Sequence, residues 1–250
     1  MQELTPSTAR HDSSLRTETG FGSGRKGPLL VGGLVFKRSV DITLAGLLLT
    51  AALPFLAIAA ILIKLDSEGP VLYCQARMGR GFRRFRLLKL RTMRHRAAGS
   101  VYTLGADERI TRAGHWLRRF KLDELPQLWN VLRGEMSLVG PRPVIPELAM
   151  EFRGRYKRLL KVRPGLTDPA TVKYCRETEI LALVPDPLRY FKTVITPDKL
   201  RISQRYLRRA TVWSDLGIVA QTALALLPSV RLAEESGRAH AGLRLSSFTE

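Results

Sequence analysis

The sequence predicts a mainly α-helical protein with a few short β-strands, folded as a single membrane-associated domain. Its N-terminal membrane helix is expected to be re-entrant and broken by proline, and further amphipathic helices are expected to lie at the interface. Three observations carry this reading. Residues 42–63 are an uncharged, mostly apolar run with Pro54 near its centre, strand signals are short and few, and the chain carries 41 Lys and Arg against 22 Asp and Glu. The resulting net charge of +19 calls for a polyanionic neighbour: nucleic acid, anionic lipid or a phosphorylated substrate. Composition is otherwise that of a globular chain, which excludes collagen-like, low-complexity and disulfide-scaffold proteins. Cys74 and Cys175 are far apart with no Cys/His cluster near them, so neither a zinc site nor a disulfide framework is supported, and reducing cytosol is the default compartment.

Residues 1–35 read as a disordered polar tail, rich in Gly, Ser and Thr, and the apolar run begins too late for a signal peptide. Residues 36–66 form the membrane helix. Its uncharged run of 22 residues would measure about 33 Å as a straight helix, enough to cross a bilayer core. Pro54, however, cannot offer an N–H to the carbonyl of Thr50 and crowds it, so the helix should kink or break there. Lys37 and Arg38 precede the run and Lys64 follows it, and the preference for positive charge inside would keep both ends on the cytoplasmic face. Two half-helices in one leaflet satisfy both observations; a plain transmembrane helix tolerating its proline is the alternative.

Residues 67–230 are expected to form the catalytic domain. A turn at Ser67, Glu68, Gly69 and Pro70 leads into a short strand at 71–74. Between positions 77 and 96, nine of twenty residues are Lys or Arg and none is acidic, a density that suits anionic headgroups. Phe82 and Phe85 interleave with arginines as in single-stranded nucleic-acid binders. No nucleic-acid-binding signature accompanies them, and phosphate in another form fits a membrane-anchored chain better.

Asp123 and Glu124 are adjacent, and Pro126 then opens a helical pattern of Leu128, Val131 and Leu132 that stops at Gly134. One reading makes Asp123 an N-cap and Glu124 a favourable charge at the helix start. The other uses both carboxylates at a phosphate site. Neighbours on a helix point about 100° apart, so the two cannot do identical work. Arg118 and Arg119 lie just upstream, and Arg142, between Pro141 and Pro143, sits on a stiff loop suited to bidentate phosphate recognition. Carboxylates beside arginines suit a metal-bound phosphate, because magnesium prefers one or two carboxylates plus phosphate oxygens. Residues 216–230 are uncharged but short for a span, follow Trp213 and the basic Arg201, Arg205, Arg208 and Arg209, and read as a helix lying on the membrane with Asp215 facing inward. Residues 231–250 are a C-terminal tail.

Taken together, KRSVD, SEGP with VLYCQARMG, FRLLKLRTM, ITRAGHWLRRFKLDELPQLWNVLRGEMSLVGPRP, RPGLT and TVWSDLGIVAQTALALL resemble the bacterial sugar transferases, the monotopic polyprenyl-phosphate phosphoglycosyl transferases, over about residues 36–227 in the same order. The resemblance implies transfer of a sugar 1-phosphate from a nucleotide-diphosphate sugar, UDP-linked by expectation, to membrane polyprenyl phosphate, with release of a nucleoside monophosphate such as UMP. The products would initiate exopolysaccharide, capsule, O-antigen or glycoprotein glycans. It implies further that Asp123 is the nucleophile, that Glu124 is a Mg2+ ligand, and that Lys89, Arg118, Arg142 and Asp215 surround the substrates. It places the protein at the bacterial inner membrane with its active site on the cytoplasmic face, bound to anionic lipids and not to nucleic acid; a homodimer is compatible with it. A membrane-tethered nucleic-acid binder and a non-catalytic scaffold are the rival readings. Two departures stand out: Leu53 replaces the serine many relatives have before the proline, and Asp168-Pro169-Ala170-Thr171 follows RPGLT where many have Gly-x-Ala-Gln.

Overall fold

The computed structural model describes residues 31–95 and 107–226. The expected tails at 1–30 and 231–250 lie outside them. Helix α1 (Val31–Asp66) begins five residues before the expected boundary at 36 and carries one buried stripe of Asp41, Ala45, Ala52, Ala59 and Ile63. The opposite side bares Leu47, Leu48, Leu53, Phe55, Ile58, Ile61 and Leu62. Among the described residues α1 is the one helix long and apolar enough to cross a membrane.

The expected interruption at Pro54 is not present, since α1 is one continuous element through the proline. Proline removes a single ladder bond, and the turns on either side keep theirs. Thr50, the residue whose carbonyl loses its partner, turns its hydroxyl back to the carbonyl of Gly46 at 2.9 Å, the back-bonding that bends helices.

Both ends of α1 are fastened to the same body. At the N-terminal end Lys37 pairs with Asp215, and Arg38 donates to the carbonyls of Val131 (2.8 Å) and Leu132 (3.1 Å). There too, the buried Asp41 accepts from Ser137 Oγ (2.7 Å) and the Leu138 N–H (3.2 Å). At the C-terminal end Asp66 accepts from the Ala113 N–H (2.8 Å), and Arg91 donates to the carbonyls of Ser67 (2.7 Å) and Glu68.

The basic stretch is a β-hairpin, where only a strand at 71–74 was expected. Strand β1 (Leu72–Met78) pairs antiparallel with β2 (Arg84–Leu90), with Tyr73 opposite Lys89 and Arg77 opposite Phe85. Alternation along each strand puts Tyr73, Gln75, Arg77 and Lys89 on one face. Helix α2 (Arg112–Arg119) follows, capped by the Thr111 side chain, and then a 3-10 turn at Leu122–Glu124 entered through Lys121 at φ +56. Helix α3 (Gln127–Leu132) ends at Gly134 (φ +83), where the sequence placed the stop. Arg38 donates to its last carbonyls, of which that of Val131 also accepts from the Gly134 N–H at 3.0 Å.

Strand β3 (Ser137–Val139) runs parallel to β4 (Gly165–Thr167), with α4 (Pro146–Glu151) and α5 (Arg153–Leu159) between them. The backbones at Gly140 and Gly165 touch: a Cβ on Gly140 would sit 2.7 Å from the carbonyl oxygen of Arg163, and one on Gly165 would overlap the Gly140 backbone. Only glycine fits at either position, which explains why VGPRP and RPGLT both contain one. The chain then forms α6 (Pro169–Lys173), α7 (Glu177–Ala182), α8 (Pro187–Tyr190), a π turn at Phe191–Ile195, α9 (Thr196–Leu207) and α10 (Val212–Leu226). Asp168 caps α6, accepting from the Thr171 N–H and hydroxyl (both 2.7 Å) and from Ser203 Oγ (2.5 Å), so the DPAT departure builds a helix start tied to α9. The architecture is mainly helical with four short strands among the described residues, as expected.

Candidate active site

The site is assembled by one side chain that substitutes for a strand. Asn130 of α3, 1% exposed, accepts from the Leu88 N–H (3.1 Å) and donates to the Arg86 carbonyl (2.8 Å), filling the open edge of β2. That tie sets α3, and the turn before it, against Lys89. Lys89 Nζ consequently lies 3.1 Å from Glu124 Oε1, and Arg142, carried in by the Gly140–Gly165 contact, donates to the same oxygen. Glu124 is thereby matched by two cations. Burial alone would raise its carboxyl, but Arg142 and Lys89 outweigh burial and hold it well below the usual range.

Asp123 has the opposite environment. It is 6% exposed, and its Oδ1 is sealed from solvent without a hydrogen-bond partner. Burial, with the like charge of Glu124 behind it, pushes this carboxyl up against the pull of Lys89. An N-cap would accept backbone N–H bonds at this oxygen, so the capping reading fails. The left-handed turn at Lys121 lifts the pair out of the preceding helix, a local strain of the kind found at functional sites.

Arg118 donates from Nε to Thr92 Oγ1 (2.8 Å), and its guanidinium faces Asp123; burial lowers its basicity. Lys89, Arg118, Asp123, Glu124 and Arg142 line one open cavity of about 1930 Å³, larger than a single small-molecule pocket needs. Asp215 does not reach it. It faces inward, as expected, and is held by Lys37 of α1 and the Tyr206 hydroxyl of α9, so in this structure it braces three helices. Its segment lies at the start of α10, which packs on α6, β3 and β4. Arg77 and Gln75, which the sequence reading did not single out, also line the cavity. The period-2 alternation of the hairpin would have found them once Lys89 was placed on that face.

Two adjacent carboxylates with divergent environments fit the chemistry of a divalent cation, since the orphaned Asp123 oxygen is buried beside a second carboxylate. No group of three or more His, Cys, Asp or Glu side chains gathers among the described residues. Magnesium at phosphate sites needs no such cage, because substrate oxygens and water complete its shell.

Comparison with known proteins agrees with the motifs. The family model described as bacterial sugar transferase matches residues 33–229. The chain is 40% identical over 197 residues to a UDP-glucose:undecaprenyl-phosphate glucose-1-phosphate transferase of Caulobacter vibrioides, covering 76% of this chain and 69% of that protein. It is 39% identical over 204 residues to an undecaprenyl-phosphate glucose phosphotransferase of Komagataeibacter xylinus, covering 78% of this chain but 36% of the relative. A UDP-glucose:undecaprenyl-phosphate glucose-1-phosphate transferase of Escherichia coli is 35% identical over 198 residues, 75% of this chain and 39% of its own length. The chain thus spans little more than a third of the two longer relatives. With the acidic pair, its cations and the glycine contact behind Arg142 in one continuous match, the chain belongs to the bacterial sugar transferase family.

Proposed function

We propose that the protein moves a sugar 1-phosphate from a nucleotide-diphosphate sugar to a polyprenyl phosphate through a phosphosugar-linked Asp123. The observation that carries this reading is the buried, unpartnered Asp123 Oδ1 beside a Glu124 already neutralised by Lys89 and Arg142. A carboxylate stripped of hydrogen bonds is a better nucleophile than a solvated one, and its neighbours stabilise charge as it develops.

In the first step an Asp123 oxygen attacks the phosphorus bonded to the sugar oxygen. The bond from that phosphorus to the bridging oxygen breaks, and nucleoside monophosphate leaves with the electron pair. In the second, a polyprenyl phosphate oxygen attacks the same phosphorus and the carboxylate departs unchanged. Because the acceptor is already ionised at neutral pH, no general base is needed; the barrier is the approach of one anion to another. Lys89, Arg118 and Arg142 lower it electrostatically. Glu124 together with substrate phosphate oxygens would hold Mg2+, which supplies charge neutralisation of the diphosphate. Adjacent carboxylates cannot flank a glycosidic bond, so cleavage at the sugar carbon is disfavoured. The names of the relatives support a UDP-sugar donor and undecaprenyl phosphate as acceptor.

We place the protein on the cytoplasmic face of the bacterial inner membrane, with α1 entering and leaving one leaflet through a bend at Pro54 within the continuous helix. Attachment of both helix ends to one body supports this. So do Trp116, Trp129 and Trp213, exposed by 66%, 50% and 80% on α2, α3 and α10, in the manner of interfacial tryptophans beside anionic headgroups.

The test is to incubate the protein with radiolabelled nucleotide sugar without acceptor and identify the labelled peptide by mass spectrometry. Label is expected on Asp123 of the parent and absent from Asp123→Asn, with transfer lost. Full transfer by Asp123→Asn would refute the covalent step.

A further inference from the structure

Beside the acidic pair, the guanidinium of Arg77 stands without an ion-pair partner. Glu124 is matched by Lys89 and Arg142, and Arg118 faces Asp123. Arg77 makes no ion pair, and the Glu124 charge reaches it only from a distance, outweighed by burial and by Arg142. It projects from the same hairpin face as Lys89, and the Met78 N–H bond to the Val144 carbonyl (2.8 Å) brings it against the loop that carries Arg142. Its contacts are neutral: Nη2 donates to Gln75 Oε1 at 2.6 Å, and Nη1 to the Pro143 carbonyl at a long 3.5 Å. Nε is sealed from solvent and has no partner. Burial, reinforced by the like charge of Arg142, lowers Arg77 to about 10, the mark of a cation under-compensated where it stands.

A structural arginine of this kind would ordinarily be matched by a carboxylate or a set of carbonyls, because an uncompensated buried charge is costly. Arg77 instead has one strong amide contact that fixes its plane and leaves donor capacity toward the cavity. The planar fork of arginine matches phosphate, and it is used where an anion arrives from outside.

We infer that Arg77, oriented by Gln75, is a second phosphate-binding residue of the site, receiving a substrate phosphate beside the Glu124–Arg142 pair while Arg118 serves the phosphate next to Asp123. The inference rests on the proposed reaction for the identity of the anion. Two sources share this chemistry: the nucleotide-side phosphate of the donor and the phosphate of the polyprenyl acceptor. Gln75 is a positioning residue; Arg77 touches substrate.

The experiment uses the full chain in lipid nanodiscs and three variants: Arg77→Gln, Arg77→Lys and Gln75→Glu. Inorganic pyrophosphate is titrated calorimetrically, which reads anion binding without turnover. Arg77→Gln is expected to weaken binding about 10- to 100-fold, the worth of a charge-assisted hydrogen bond. Arg77→Lys should lose less, because it keeps the charge without the fork. Gln75→Glu should also weaken binding, since it supplies an internal anion to the guanidinium; a purely structural Arg77 would be held better by Glu and leave pyrophosphate affinity unchanged. Separated half-reactions then assign the source. A raised KM for the nucleotide sugar in adduct formation identifies the donor phosphate, and normal adduct formation with a raised acceptor requirement identifies the polyprenyl phosphate. Pyrophosphate affinity and both KM values within twofold of the parent, in variants that melt with the parent, would overturn the inference. If the parent binds pyrophosphate through Arg77 but cleaves no nucleotide sugar, the proposed reaction fails and the anion site stands. Should Arg77→Gln not fold, Arg77→Lys and Gln75→Glu decide the matter.

Discussion

If α1 crossed the bilayer, one of its two sets of attachments would have to be given up. From Lys37 to Ile63 the helix climbs 26 residue steps, about 39 Å at 1.5 Å per step, against a hydrocarbon core of about 30 Å. A spanning helix would therefore carry Lys37, Arg38 and Asp41 to the face opposite Asp66. Six of the hydrogen bonds these three make to the body are 3.3 Å or shorter: Lys37 to Asp215 and the Val139 carbonyl, Arg38 to the Val131 and Leu132 carbonyls, and Asp41 from Ser137 and Leu138. Each involves an ionised side chain, so at about 1.5 kcal/mol apiece their loss would cost on the order of 9 kcal/mol. That is comparable to the whole stability of an ordinary domain. The assay replaces the exposed Cys74 and Cys175 with Ser and introduces single cysteines at Leu34 or Leu65, exposed by 53% and 81%. A membrane-impermeant maleimide should label both positions in inside-out inner-membrane vesicles and neither from the periplasmic side. Labelling of position 34 from the periplasm alone would refute the shared-face argument.

Two further outcomes distinguish structural from chemical roles. Asp215→Asn should lower stability by about 2 kcal/mol, because it weakens the bonds to Lys37 and Tyr206, while turnover per folded molecule falls less than tenfold; unchanged melting with activity lost by orders of magnitude would return Asp215 to the active site. Gly165→Ala should displace β4 from Gly140 and with it the Arg142 loop, lowering both melting temperature and donor cleavage, and wild-type kinetics in that variant would show that the close backbone approach does not position Arg142.

The parts of the molecule legible in the sequence are those written in local chemistry. The apolar run, the stop of α3 at Gly134 and the gathering of Lys89, Arg118, Arg142 and the acidic pair could be read because composition, a helix terminator and the family motifs each act over short segments. What escaped depends on partners distant in the chain. Asn130 resembles any polar residue on a helix until β2 presents an open edge to it, and Asp215 resembles a site aspartate until Lys37, 178 residues away, claims it. The second strand was hidden because the density of its basic residues suggested anionic headgroups, whereas outward arginines and inward Leu87 and Lys89 follow the two-residue alternation of a strand. Of the kink or break expected at Pro54, the break does not occur: proline removes one bond, and the flanking turns decide whether a helix ends.

Asp123 and Glu124 show how one dipeptide yields two chemistries. Adjacent positions on the turn point in different directions, so a single packing arrangement exposes them to different neighbours. Glu124 meets two cations and is fixed as an anion; Asp123 is buried beside it and keeps an oxygen free of hydrogen bonds. Exchanging the two residues would put the aspartate's shorter side chain between Lys89 and Arg142, and the longer glutamate in a pocket sized for aspartate. The order of the pair is thus enforced by geometry: the neutralised carboxylate must be the longer one, because it has to reach Lys89 on β2 and Arg142 on the loop after β3 at once. The reactive one is the shorter, and an extra methylene would carry its oxygen away from the charges of Lys89 and Arg118 that act on it.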